Sequence, residues 1–181
     1  MTAKRTISSV QSVHTPVTSR RDMIAATVTL AAAGGAISSA PAAAQTPAAR
    51  HANPAGMFTP PGYSQIVEVN GPYRMILIAG QTAQETSGKL VPGGFREQAT
   101  QVMENIKTAL ASVGGTFDDV VKINTYLLDI DRDGPAYREI RATYFSNKVA
   151  LPASTLLQVS RLADPQYLIE VEATAILPPK S

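Results

Sequence analysis

Near its C-terminus the chain contains a strand whose two faces differ in chemistry. Successive side chains of a strand point to opposite faces of a sheet, so one face carries Ile169, Val171, Ala173 and Ala175. The other face carries Leu168, Glu170, Glu172 and Thr174. The first set predicts a core beneath a covering layer of helices. The second set is too polar for a dry core, so it predicts a subunit interface or a cleft.

Other segments supply partners for that strand. Two strands over 65–69 and 73–79 are predicted to form a hairpin, because Asn70-Gly71 between them is a strong turn signal. Runs rich in β-branched and apolar residues predict further strands over 120–128, 155–159 and 168–176.

Two helices are predicted between these strands. Apolar residues recur on one helical face from 95 to 113, and Gly114-Gly115 provides a stop. Asp133 is predicted to cap a second helix with Pro135 in its first turn. One side of that helix carries Tyr137, Ile140, Arg141 and Tyr144. The order ββαβαββ predicts an α+β protein: one mixed sheet with two helices packed on one face.

The N-terminal segment predicts an export signal. Arg20-Arg21 precede a weakly apolar run over 25–33, and small residues offer cleavage positions at Ala40, Ala42 and Ala44. The apolar run is too short and too rich in Ala, Thr and Gly for a transmembrane helix. The alternative is a disordered, alanine-rich tail that contains a chance arginine pair.

The predicted organisation of the chain follows from this signal. A twin-arginine signal peptide occupies 1–44, a flexible leader occupies 45–60, and the folded domain occupies 61–178. The processed protein is then periplasmic or secreted, with no membrane association. Cleavage after Ala44 leaves 12 basic and 13 acidic residues, a formal net charge of −1. Such a chain lacks the basic field that phosphate binding requires, so no nucleic-acid partner is predicted.

The predicted domain contains only a few types of side chain that could take part in catalysis. The chain has no cysteine, and its two histidines, His14 and His51, lie in the predicted signal and leader. Catalytic triads, histidine acid–base pairs and histidine metal sites are therefore excluded from the predicted domain. Neither a metal nor a cofactor is predicted. Chemistry in this domain must use carboxylates, hydroxyls, backbone amides and water.

Four short segments carry a family resemblance. They are Pro61-Gly62-Tyr63, Ile78-Ala79-Gly80-Gln81, Pro152-Ala153-Ser154 and Ile169-Glu170-Val171-Glu172-Ala173. In type and spacing they resemble the RidA (YjgF/YER057c) family, whose best-known members hydrolyse reactive enamines and imines. The resemblance implies a chorismate-mutase-like fold and a homotrimer with small-molecule clefts between neighbouring subunits.

The resemblance also assigns roles to individual residues. Glu170 takes the place of the glutamate that orients the attacking water, and Glu172 is structural. Tyr63 matches a tyrosine that lines the cleft. In the second segment the ligand contacts are expected from Ala79, which replaces the usual serine, and from Gly80 and Gln81.

One position departs from the family pattern. Ser154 stands where the deaminating members have the arginine that grips the substrate carboxylate, and with Thr155 it offers only neutral hydroxyls to a substrate. A hydrogen bond to a charged group is worth about 1.5–3 kcal/mol. Serine in place of arginine at position 154 therefore predicts that an amino-acid-derived imine binds about ten- to a hundredfold more weakly.

Plainer structural roles are open for the same residues. Glu170 and Glu172 fit the solvated side of a strand, Tyr63 fits a packing aromatic, and Gly80 fits a purely conformational requirement. Two functions are open as well. One is a hydrolytic deaminase of reactive enamines and imines with altered specificity. The other is a non-catalytic small-molecule-binding or protective trimer.

Overall fold

The computed structural model describes residues 48–180. The predicted signal peptide and residues 45–47 of the leader lie outside the described residues. In chain order the elements are β1 (Ala48–Ala52), β2 (Ile66–Asn70), β3 (Arg74–Gln81), α1 (Phe95–Ser112), β4 (Val120–Leu127), α2 (Ile130–Tyr144), β5 (Ala153–Gln158) and β6 (Ile169–Leu177). Within this range neither helix is long and apolar enough to cross a membrane.

A four-stranded mixed sheet forms the centre of the domain, with the strand order β3-β6-β4-β5. β6 pairs antiparallel with both β3 and β4, whereas β4 and β5 run parallel. α1 contacts β6 and β3, and α2 contacts β4 and α1. The predicted α+β class, with two helices and a mixed sheet, is confirmed.

The apolar face of β6 lies in the core, as predicted. Its four residues share one buried cluster with the inner face of α1, which carries Ala99, Val102, Met103, Ile106 and Leu110. Burying a large aliphatic side chain contributes about 1.5–3 kcal/mol, so this contact orients β6. Gly114 ends α1 with a φ of +82°, and the Gly115 N–H donates to the Leu110 carbonyl at 2.9 Å. The predicted stop is confirmed.

The hairpin prediction is wrong in its pairing. Both strands form, and Gly71 at the turn has a φ of +91°. However, β2 pairs with β1 in a separate two-stranded sheet, and β3 pairs with β6. A turn motif specifies only a local reversal of the chain, so it does not decide which strand receives the backbone hydrogen bonds. The described residues therefore form two sheets instead of one.

Part of the predicted flexible leader has regular structure. Ala48–Ala52 forms β1, and its register with β2 places Arg50 opposite Glu68. The Nε atom of Arg50 lies 2.7 Å from Oε2 of Glu68. The Nδ1 atom of His51 lies 2.8 Å from the Leu151 carbonyl oxygen. The segment has no hydrophobic periodicity, but strand pairing uses backbone groups that every non-proline residue carries. Side-chain patterns therefore gave no signal for β1.

The second helix begins earlier than predicted. Its N-cap is Asp129, not Asp133, because Asp129 Oδ1 accepts a hydrogen bond from the Arg132 backbone N–H at 2.9 Å. Asp133 is buried inside the helix and accepts hydrogen bonds of 2.8 and 2.6 Å from the Arg132 guanidinium. Pro135 therefore lies in the helix interior, where it cannot donate to the Asp131 carbonyl. Both aspartates are good capping residues, and local sequence does not choose between them.

We expect Asp129→Ala to lower the free energy of unfolding by about 1 kcal/mol, because it removes the cap of α2. Asp131→Ala is the control. That residue is exposed in the same first turn, so its loss should cost only about 0.3 kcal/mol through the helix dipole. Urea denaturation of both variants measures the difference. Equal losses would show that Asp129 is not the cap.

Candidate functional site

The face of the central sheet that points away from the helices is polar at its middle. Glu170 and Glu172 of β6 lie on this face, which we call the open face, and both are half-buried. The register places Tyr126 opposite Glu170 and Asn124 opposite Glu172. Thr155 of β5 pairs with Asn124 and extends the open face. The predicted division of β6 into a core face and a polar face is confirmed.

Glu172 is held by its neighbours on β4. Its Oε1 accepts a 2.7 Å hydrogen bond from Asn124 Nδ2 and a 3.2 Å hydrogen bond from the Tyr126 hydroxyl. Burial raises the pKa of Tyr126, and the hydrogen bond and negative charge of Glu172 raise it further, with a contribution from Glu170. The Tyr126 hydroxyl therefore remains protonated at neutral pH and acts as a donor. This geometry fits a structural role for Glu172.

A β-bulge at Ala79 and Gly80 brings β3 against Glu170. A Cβ atom added to Gly80 would lie 1.9 Å from Glu170 Oε1 and 2.8 Å from Glu170 Cδ. The carboxylate therefore lies over the Gly80 backbone. Gly80 does not have a positive φ, so close approach rather than conformational freedom requires glycine here. Beside the bulge, Gln81 Nε2 donates to the Ala79 carbonyl at 3.1 Å.

A pocket of about 570 Å³ lies on the helix side of β5, and Tyr63 and Ser154 both line it. We call it the α2 pocket, because four residues of α2, together with Phe145 and Lys148 just after that helix, form much of its wall. Ser154 faces the helices because it pairs with the buried residue Ile123. Thr155, the next residue of the strand, points to the open face. Its Oγ1 accepts a 2.7 Å hydrogen bond from Lys122 Nζ.

The predicted site residues therefore form two groups within one chain. Tyr63 and Ser154 share the α2 pocket. The second group surrounds the open face and consists of Ala79, Gly80, Gln81, Thr155 and Glu170. The strand alternation of β5 separates Ser154 from Thr155, so one subunit alone does not gather all seven residues into a single cleft.

Arg141 is a charged residue of the pocket that sequence reasoning did not select. It is 9% exposed, its Nη1 donates to the Gly62 carbonyl at 2.8 Å, and its guanidinium carbon lies 4.7 Å from the Phe145 ring centroid. Burial lowers the pKa of Arg141, and nearby Tyr137 partly opposes this effect. The available signal was an arginine on the side of α2 that otherwise carries Tyr137, Ile140 and Tyr144.

Residues 58–177 match the model of a protein family described as endoribonuclease L-PSP, the family that includes RidA and YjgF. This chain belongs to the RidA family. The matched range contains the α2 pocket, the open face and every predicted site residue. The predicted family resemblance is therefore confirmed.

Curated relatives of this RidA-family chain include proteins named as deaminases and proteins named only for their family. The chain is 39% identical over 118 residues to the mouse 2-iminobutanoate/2-iminopropanoate deaminase, which covers 65% of this chain and 82% of the relative. It is 38% identical over 114 residues to a RutC family protein of Pyrococcus abyssi, which covers 62% of this chain and 84% of the relative.

A solved RidA-family structure agrees with the fold. The Yersinia pestis Rid family protein YyfB, described as a protein of unknown function, superposes with a TM-score of 0.65 at 36% identity. The match covers 71% of this chain and 98% of the Yersinia protein. Membership of the family and its α+β fold therefore rest on both sequence and structure.

We expect Gly80→Ala to displace Glu170 and leave the fold intact, because the clashing atom ends a flexible side chain. The free energy of unfolding should fall by about 1 kcal/mol. In a Glu170→Ala background the same substitution should cost almost nothing, since the clashing partner is gone. Urea denaturation of the two single variants and the double variant gives the coupling energy. A cost that is equal in both backgrounds would contradict the close approach.

Proposed function

We propose that this RidA-family protein is a hydrolytic deaminase of reactive enamines and imines, with Glu170 as its general base. Relatives from mouse and human, each 39% identical, are named 2-iminobutanoate/2-iminopropanoate deaminase, which supports the assignment. The observation that carries it is the difference in contacts between the two carboxylates of β6, Glu172 and Glu170. Glu172 is occupied by two hydrogen bonds from β4. Glu170 instead lies half-buried over Gly80 and is the carboxylate left to orient a water molecule.

The reaction needs one water molecule and no redox step. Water adds to the carbon of the C=N bond while Glu170 takes one of its protons. The nitrogen receives that proton, which gives a carbinolamine. It then receives the hydroxyl proton of the carbinolamine as the C–N bond breaks, so ammonia leaves while the C=O bond forms. An enamine enters the same sequence after tautomerisation to its imine. The requirement on the protein is a carboxylate within hydrogen-bond reach of the water, in a site that holds the imine carbon beside it.

A homotrimer is part of this proposal, with small-molecule clefts between subunits. β3 is an edge strand of the central sheet, and its exposed side chains Met75 and Leu77 border the open face. Leu157 of β5, on the other edge, is exposed as well. Apolar residues that are exposed along a sheet edge favour association with another chain. Subunits that meet through these strands would add a neighbour's residues to each open face and could complete a cleft that one chain leaves divided.

Non-catalytic binding is the second candidate, and Ser154 favours it. The motif position that carries an arginine in the deaminating members has only a hydroxyl in this chain. The predicted export favours it too. The N-terminal sequence supports a periplasmic or secreted protein, whereas amino-acid imines arise chiefly from cytoplasmic pyridoxal-phosphate enzymes. In this alternative the trimer binds or protects a small molecule without turnover.

Ribonuclease activity has weaker support, despite the description of the matched family. The predicted mature chain has a formal net charge of −1, which gives no general attraction for phosphate. The one histidine among residues 48–180 is His51. Its ring contacts the Leu151 carbonyl oxygen and so helps to hold β1 in place.

We expect Glu170→Gln to lower kcat by about a hundredfold or more, because a general base contributes about 10²–10⁴-fold. The assay offers the full chain a panel of freshly generated imines and measures ammonia release. Glu68→Gln, a change at an exposed carboxylate of β2, is the matched control and should retain full activity. A wild-type protein that turns over no imine in the panel would favour the binding function.

We expect Leu77→Asp to convert the trimer into monomers. Leu77 is 75% exposed in one chain, so a charge there costs the isolated subunit little but would be buried in the assembly. Val149→Asp, at a loop residue that is 88% exposed, is the control and should leave the trimer unchanged. Light scattering coupled to size-exclusion chromatography measures both masses. A monomeric wild-type protein would contradict the proposed assembly.

A further inference from the structure

The α2 pocket has a one-sided charge. Its lining includes Arg138, Arg141 and Lys148, and within residues 48–180 no aspartate or glutamate lines it. Apolar surface from Phe145 and Leu156 completes the wall, along with the hydroxyls of Tyr63 and Ser154. A pocket of about 570 Å³ with this lining suits a small ligand that combines an anionic group with a short aliphatic part.

The three cations of the pocket differ in how far they are already neutralised by contacts. Lys148 Nζ donates to the carbonyls of Ala142 and Phe145. Arg138 is exposed, so water solvates its charge. Arg141 is more than nine-tenths buried, and its Nε and Nη2 have no hydrogen-bond partner among residues 48–180.

Unpaired donors make Arg141 the group that an anion would satisfy best. An arginine offers five N–H donors in a planar fork that matches a carboxylate. In the part of the chain that the structure describes, only the hydrogen bond from Nη1 to the Gly62 carbonyl uses that fork. A buried charge is costly unless it is paired, and a ligand carboxylate would provide the missing pairing.

The position of Arg141 also bears on the missing motif arginine. Ser154 and Arg141 line the same pocket, one from β5 and the other from α2. We propose that Arg141 holds the carboxylate of a short 2-imino or 2-oxo acid in the α2 pocket, so that α2 supplies the cation that β5 lacks. The ligand class rests on the proposed deaminase function. Ser154 alone predicts that amino-acid imines bind poorly, and a cation on the facing helix would reverse that effect.

A purely structural Arg141 would also anchor Gly62 and stack on Phe145, so the test must separate charge recognition from folding. The probes are 2-oxobutanoate and the neutral ketone 2-butanone, titrated into the full chain by ligand-observed NMR. Wild-type protein should bind the acid at least tenfold more tightly than the ketone. Arg141→Gln should weaken acid binding about ten- to a hundredfold and leave ketone binding unchanged. Arg96→Gln, at an exposed arginine of α1, should change neither.

Two further variants test whether a guanidinium in the pocket is what binds the acid. Ser154→Arg added to Arg141→Gln should restore acid binding, because a guanidinium again enters the pocket. If Arg141→Gln fails to fold by circular dichroism, Arg141→Lys decides: it should bind the acid several-fold more weakly, since the bidentate fork is lost, and bind the ketone normally. Equal wild-type affinities for acid and ketone, or equal weakening of both by a substitution at Arg141, would overturn the proposal.

The outcomes also separate this proposal from the deaminase function. Acid binding that depends on Arg141, in a protein that turns over no imine, would support the pocket and reject the hydrolase. Imine turnover that depends on Glu170, with acid binding that is insensitive to Arg141, would support the hydrolase and reject the pocket.

Discussion

The central strand β6 forms backbone hydrogen bonds with a neighbour along each of its edges, and this pairing positions both the core and the candidate site. β6 lies between β3 and β4 and buries Ile169 and Val171 against α1, which sets its register and its facing. A slip of one residue would exchange the buried set with Glu170 and Glu172, and burying two carboxylates would cost far more than the slip could gain. The core therefore holds the candidate general base in place.

Alternation has a second consequence on β5. Ser154 and Thr155 are neighbours in sequence, but one belongs to the α2 pocket and the other to the open face. The residue type at the first of these positions therefore affects the pocket, where α2 contributes Arg141. In the proposed deaminase the positive charge would remain in this cavity, although α2 and not β5 carries it.

Local patterns in the sequence predicted much of the fold. The face of α1, the glycine stop after it and the two faces of β6 follow from side-chain periodicity over a few turns or residues. The errors fall where a local signal was ambiguous or said nothing about distant partners. Asp129 and Asp133 are equally good caps, the Asn70-Gly71 turn joins strands of different sheets, and β1 carries no hydrophobic pattern.

Side-chain periodicity and short motifs were enough to predict the α+β class, the family, and the division of β6 between a buried face and a polar face that carries Glu170. The contact of Glu170 with the Gly80 backbone, and that of Arg141 with Gly62 in the pocket lined by Ser154, depend on the tertiary structure. The reason is physical. Periodicity reports which way a side chain points relative to its own element, whereas these contacts join residues far apart in the chain and depend on how the elements pack together.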